Sequence, residues 1–128
     1  AGLNVGLIVA PVLPGVTDDR RHLEALFRAA REAGARFVYA SPLRLYPAVR
    51  DRFLSVLEAR SPALAQRYRT AYAKQGAAPQ AYSRALMRRV QNLQQQFGFP
   101  VNRGMQDRYE KRLPPVQSDL FATRPALP

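Results

Sequence analysis

The chain has 128 residues, 47% of them hydrophobic, with 20 Lys and Arg against 9 Asp and Glu and a formal net charge of +11. That hydrophobic share excludes a disordered polar chain, and the length fits one domain or a piece of a larger one. Having no Cys excludes disulfides, a thiolate nucleophile and cysteine-ligated zinc or iron–sulfur within these residues, and one His cannot build a multi-His metal site. The longest apolar run, Val5 to Leu13, falls far short of the ~20 residues of a membrane span. It also lacks the basic leader of a signal peptide, so the expectation is a cytoplasmic protein with no membrane partner. The chain opens on Ala rather than Met, which points to a fragment or a processed chain.

In chain order, Leu3 to Ala10 is nearly continuous in apolar residues, as in a strand buried on both faces. Pro11 to Val16, with two prolines and a glycine, is a loop. Thr17 can cap the helix that follows, and Asp18 and Asp19 suit its positive end. Leu23, Leu26, Phe27, Ala30 and Ala33 recur at helical spacing, and Gly34 is a stop. Arg36 to Ala40 is a second short strand. Strand, helix and strand in this order predict a βαβ unit with a parallel pair. Pro47 then opens a helix that turns Val49, Phe53, Val56 and Leu57 inward. Ser61-Pro62 starts another with Leu64, Ala65, Tyr68, Ala71 and Tyr72 inward. Pro79 opens a third with Tyr82, Leu86, Val90, Leu93 and Phe97 inward. The last residues, rich in proline, read as an extended tail.

Two parallel strands do not make a stable sheet alone, and an apolar first strand wants neighbours on both edges. The expected architecture is therefore α/β: a C-terminal βαβ segment of a partial (β/α) barrel (residues 1–46), a helical extension (47–98) and an irregular, basic, Pro-rich tail (99–128). The alternative is a small α+β domain whose two-stranded sheet is packed by helices.

The stretch Val5-Gly6-Leu7-Ile8-Val9-Ala10-Pro11-Val12-Leu13-Pro14-Gly15-Val16-Thr17-Asp18 resembles a segment of radical S-adenosylmethionine proteins related to spore photoproduct lyase. There a late barrel strand ends in a V-A-P-V-I/L-P-G-L/V-T-D loop. Glu32-Ala33-Gly34-Ala35, then Leu43-Arg44-Leu45 followed by Pro47, and the helix carrying Phe53 and Leu57 match in the same order. The resemblance covers residues 3–75 well and 76–113 loosely. It implies a barrel that holds S-adenosylmethionine and a 4Fe–4S cluster, whose reductive chemistry gives a deoxyadenosyl radical. The cluster is held there by a C-x3-C-x2-C loop. This chain has no Cys, so the missing N-terminal barrel half is an implied partner, and the segment alone binds no cofactor and carries no catalytic residue.

Loops at the C-terminal ends of barrel strands face the active site. On the resemblance, the backbone of Pro11, Val12 and Leu13 and the turn at Gly15 are the cofactor-binding candidates. Thr17 at a helix start and Arg44 at a strand end are the substrate-binding candidates. The alternatives are a cap for Thr17 and a structural ion pair for Arg44. His22 has no partner in motif context and reads as a surface residue, and the tyrosines fall mostly at core spacing.

The basic excess lies in residues 46–113, with 13 basic against 4 acidic side chains. If Arg60, Arg67, Arg69, Arg84, Arg88 and Arg89 share a face, they form a strip that tracks phosphates of a DNA substrate; otherwise they solvate helix surfaces. Gln117-Ser118-Asp119-Leu120-Phe121 resembles the pentapeptide by which bacterial repair and replication proteins bind the sliding clamp. Leu120 and Phe121 would fill an apolar pocket and Gln117 would bond at its rim. The functional expectation is an enzyme fragment that completes a cofactor and substrate pocket in DNA repair. The alternative is a non-catalytic basic module for nucleic acid or the clamp.

Overall fold

A computed structural model describes residues 2–73 and 76–101. The elements run β1 (Leu7–Val12), α1 (Arg20–Glu32), β2 (Val38–Pro42), α2 (Pro47–Arg60), α3 (Pro62–Ala71) and α4 (Gln80–Gln96). The strands pair in parallel, Leu7 opposite Val38 and Val9 opposite Ala40, with a register irregularity before Val12. The chain is thus mixed α/β with one small parallel sheet and four helices among the described residues. No helix among them is long and apolar enough to cross a membrane.

Both strands start later than the apolar pattern suggests, and β1 runs on through Pro11 and Val12. Pro11 fits because it falls inside the register irregularity between Val9 and Val12, where the ladder is interrupted and no N–H is required. The cap of α1 is Asp19, whose carboxylate accepts from the His22 N–H at 3.0 Å, and not Thr17. His22 returns its ring Nδ1 to the same carboxylate, so the lone His is part of the cap. Pro62 and the Ser61 hydroxyl open α3 as the sequence predicts, the hydroxyl accepting from Leu64.

Strand alternation sends Leu7, Val9, Val38 and Ala40 to one face, where they meet Leu23 and Phe27 of α1 and Leu86, Val90 and Leu93 of α4. Phe27 touches Phe99 edge-on at 6.0 Å, which ties the end of α4 to α1. The opposite face carries Ile8, Ala10, Tyr39 and Ser41, and Ile8 is 65% exposed. A second core joins Leu43 and Leu45 to Leu54 and Leu57 of α2 and to Leu64, Tyr68 and Tyr72 around α3. Leu54 replaces the expected inward pair Val49 and Val56, which are both exposed. Apolar and charged residues are both spread round helix α2, so periodicity does not choose its buried stripe.

The two sheet edges differ. Leu7 N–H donates to the Phe37 carbonyl at 2.9 Å, so the Val38 carbonyl turns away from β1. There the side-chain amide of Gln94, buried on α4, donates to it at 2.9 Å. Further along, Leu45 N–H bonds Gly76 at 2.6 Å, with an antiparallel bridge between Arg44 and Ala77. A Cβ on Gly76 (φ +64°) would lie 2.5 Å from the Leu45 oxygen, so this contact requires glycine. The chain's own atoms therefore meet one outward carbonyl of β2 and the backbone just beyond it. On β1 the same alternation turns Ile8 and Ala10 outward, and β1 has no neighbour but β2 among the described residues.

Phe27→Ala should cost about 3–5 kcal/mol, because the fully buried ring leaves a cavity against Phe97 and Phe99. Val56→Ala, on the exposed side of α2, should stay within about 0.5 kcal/mol. Urea denaturation midpoints check both.

Candidate functional site

The two loops that leave the C-terminal ends of β1 and β2 lie side by side, joined where Leu43 N–H donates to the Val12 carbonyl at 3.0 Å. The first loop is a self-bonded turn. The Thr17 hydroxyl accepts from Leu13 N–H at 2.9 Å, and Val16 and Thr17 N–H return to the Leu13 carbonyl at 3.1 and 3.0 Å. Asp18 accepts from Gly15 N–H at 2.9 Å. Gly15 sits at φ +72°, the left-handed region, with the Leu64 side chain 3.2 Å from where a Cβ would be.

Two buried tyrosines, Tyr68 and Tyr72, and the half-buried Tyr82 hold these loops to the helical extension. The Tyr68 hydroxyl donates to the Pro14 carbonyl at 2.5 Å, Tyr72 to the Leu43 carbonyl at 3.1 Å and Tyr82 to the Asp18 carboxylate at 3.2 Å. Arg89 adds a bond to the Asp18 carbonyl. The rings of Tyr68 and Tyr72 stack at 5.5 Å, and Phe53 lies 5.5 Å from Tyr68 on its other contact. Burial raises the pKa of all three phenols, with Tyr72 and then Asp18 adding to the rise at Tyr68, and Asp18 adding to it at Tyr82. The phenols are thus held neutral as donors, and they fix the geometry of the strand ends.

This geometry places each sequence candidate. Pro11 is exposed at the end of β1. Val12 is fully buried and its carbonyl is spent on Leu43. The N–H groups of Leu13 and Gly15 are spent on Thr17 and Asp18, so these backbone donors point into the loop itself. The Thr17 hydroxyl closes the turn. Arg44 is exposed just beyond β2, bridged through its backbone to Ala77. Gln117, Leu120 and Phe121 lie outside the described residues. The arginine strip does not form one group: Arg69 turns to Glu58 of α2 at 2.5 Å, whereas Arg88 and Arg89 line a groove with Arg20 of α1. Among the described residues no group of three His, Cys, Asp or Glu converges as a metal site. The sequence reading missed the tyrosine hydroxyl bonds and Gln94. Helical spacing marked the tyrosines as core, but nothing local shows where a hydroxyl will find its acceptor.

The chain is 35% identical over 122 residues to proteins of Mycobacterium tuberculosis and of Mycobacterium bovis, all described only as uncharacterized. The match covers 94% of this chain and 36% of each relative, so the chain spans about a third of the length of the curated relatives it matches. No protein-family model matches the chain, and no solved structure does.

Tyr68→Phe keeps the ring but strands the buried Pro14 carbonyl, and should cost about 1–3 kcal/mol in a denaturant midpoint. Alkali should act through the same groups. The unfolded chain ionises its phenols near their ordinary value of 10.0, while the folded chain keeps them protonated, so their stabilisation is complete below that pH. It is lost above that pH by up to ~1.4 kcal/mol per pH unit for each phenol. Midpoints measured on either side of pH 10 should fall more gently for Tyr68→Phe and Tyr72→Phe than for the native chain.

Proposed function

We propose that this chain is the C-terminal part of a partial (β/α) barrel in a radical S-adenosylmethionine protein related to spore photoproduct lyase, and that it completes a pocket used on damaged DNA. The observation that carries this reading is the one-sided strand pair. Helices α1 and α4 cover one face of β1 and β2, while among the described residues the other face at Ile8 and Ala10 and the outer edge of β1 are bare. A barrel has this layout, with helices outside, side chains filling the interior and each strand paired on both edges. A doubly wound sheet would need helices on both faces. Closing the barrel would pair the bare edge of β1 and bury Ile8 in the filled interior, a gain of about 1.5–3 kcal/mol for the side chain alone. The relatives, nearly three times as long as the matched region, have ample chain to supply the closing strands. The Gln94 amide on the outward Val38 carbonyl suits β2 as the last strand of an incomplete cylinder.

The residues present do not fit the iron–sulfur cluster, since the chain has no cysteine, and no step is assigned to it here. Toward S-adenosylmethionine the chain offers a wall and no set of donors: Ile8, Ala10 and Pro11 are exposed, while the N–H groups of Leu13 and Gly15 are already bonded. Its contribution would be shape and exclusion of water at the mouth of the barrel, with Arg44 as a cation at the rim. The clamp-like peptide at 117–121 is consistent with work on DNA. A basic binding module without catalysis would instead bind DNA or the clamp and leave S-adenosylmethionine intact.

The full-length protein, purified without oxygen and supplied with iron and sulfide, should be brown and should cleave S-adenosylmethionine under a strong reductant. A colourless protein that leaves S-adenosylmethionine unchanged would overturn the proposal.

A further inference from the structure

We infer that the groove between α1 and α4 is a phosphate-binding site that takes the backbone of a nucleic-acid strand. The groove has a volume of about 320 Å³ and is lined by Arg20, Arg88, Arg89, Asn92 and Gln96, with Ala85 and Leu93 at its floor. Every polar group in that lining is a guanidinium or a carboxamide, and the former match phosphate oxygens in pairs.

The cations come from two helices. Arg20 is the first residue of α1, directly after the capping residue Asp19. Arg88 and Arg89 lie mid-way along α4. Two of the polar groups are held in place by the protein. Arg89 is anchored on the Asp18 carbonyl, which leaves further guanidinium donors for a ligand. Gln96 donates to Glu24 at 3.1 Å, and Glu24 also draws Arg20 (3.7 Å) and Arg28 (3.9 Å). Arg88 is exposed and has no hydrogen bond or ion pair among the described residues. It is the cation most ready to exchange water for phosphate.

A strand fits better than a small anion. Arg84, also exposed, precedes Arg88 by four residues on α4, which repeats the charge about 6 Å along the axis. A polyanion can use such a row beyond the groove, and a lone phosphate cannot. The groove opens beside Asp18, at the end of the sheet where the strand-end loops lie. The site stands on its own charges, so it survives failure of the barrel reading. If that reading holds, the groove lies at the rim of the proposed substrate pocket.

The test is fluorescence anisotropy of labelled single-stranded and duplex DNA on the full-length protein over a salt series. Arg88→Glu and Arg88→Ala are compared with Arg60→Glu, a charge reversal on α2 away from the groove. Arg88→Ala should weaken binding several-fold and lower the slope of log affinity against log salt by about one. Arg88→Glu should weaken it further, Arg60→Glu should change it far less, and excess inorganic phosphate or ATP should compete only weakly. Equal losses for Arg60→Glu and Arg88→Glu would show diffuse charge and overturn the assignment. So would DNA binding unaffected by either Arg88 variant, or binding of ATP that depends on Arg88 while DNA binding does not. Thermal melts of the variants check that each is folded.

Discussion

A two-stranded parallel sheet leaves two rows of backbone groups without partners, and their disposal governs how the rest of this protein is arranged. On the β2 side the Val38 carbonyl is buried and would cost about 1–3 kcal/mol if left unbonded. The amide of Gln94 meets it, which fixes both the rotation and the height of α4 against the sheet. With α4 so placed, Leu86, Val90 and Leu93 close the core over Phe27, and Tyr82 and Arg89 come to Asp18. Leu45 and Gly76 continue the same closure beyond the strand. One side-chain amide thus couples the sheet edge, the main core and the loop that follows β1.

Much of the fold is legible in the sequence. The order strand, helix, strand, then three helices is carried by apolar spacing and by Pro47, Pro62 and Pro79 at helix starts, and the inward residues of α3 and α4 follow from the same spacing. The misplacements have physical causes. Thr17 and Asp19 are both good caps, and the choice went to Asp19 because the Thr17 hydroxyl serves Leu13 N–H. Helix α2 has apolar residues on every side, so only its contact with α3 decides that Leu54 is inside and Val49 outside. The candidate site is less legible. Local sequence points to the two strand ends, whereas their geometry depends on hydroxyls 29, 54 and 64 residues away in sequence from their acceptors.

The tyrosines give the helical extension a defined task. Loops carry function when a rigid scaffold positions them, and each bond from α3 or α4 to the strand ends removes freedom from a loop rich in Pro and Gly. A hydroxyl at the end of a packed aromatic ring is well suited to this, because few torsions are frozen when the ring is buried. The groove with Arg20 and Arg88 adjoins the same loop through Arg89. Helix α4 thus contributes to both loop shape, through Tyr82 and Arg89, and surface charge, through Arg88, and a change in its seating would alter both.

The difference between the sheet's two margins also limits self-association. Unpaired strand margins recruit other chains, and a sheet bare on both sides can add copies without end. Among the described residues β1 has such a margin bare, while on the other side Gln94 meets the Val38 carbonyl and Gly76 meets Leu45 just beyond β2. Two copies of this segment joined β1 to β1 would consume both bare margins, so addition by this route ends at a dimer.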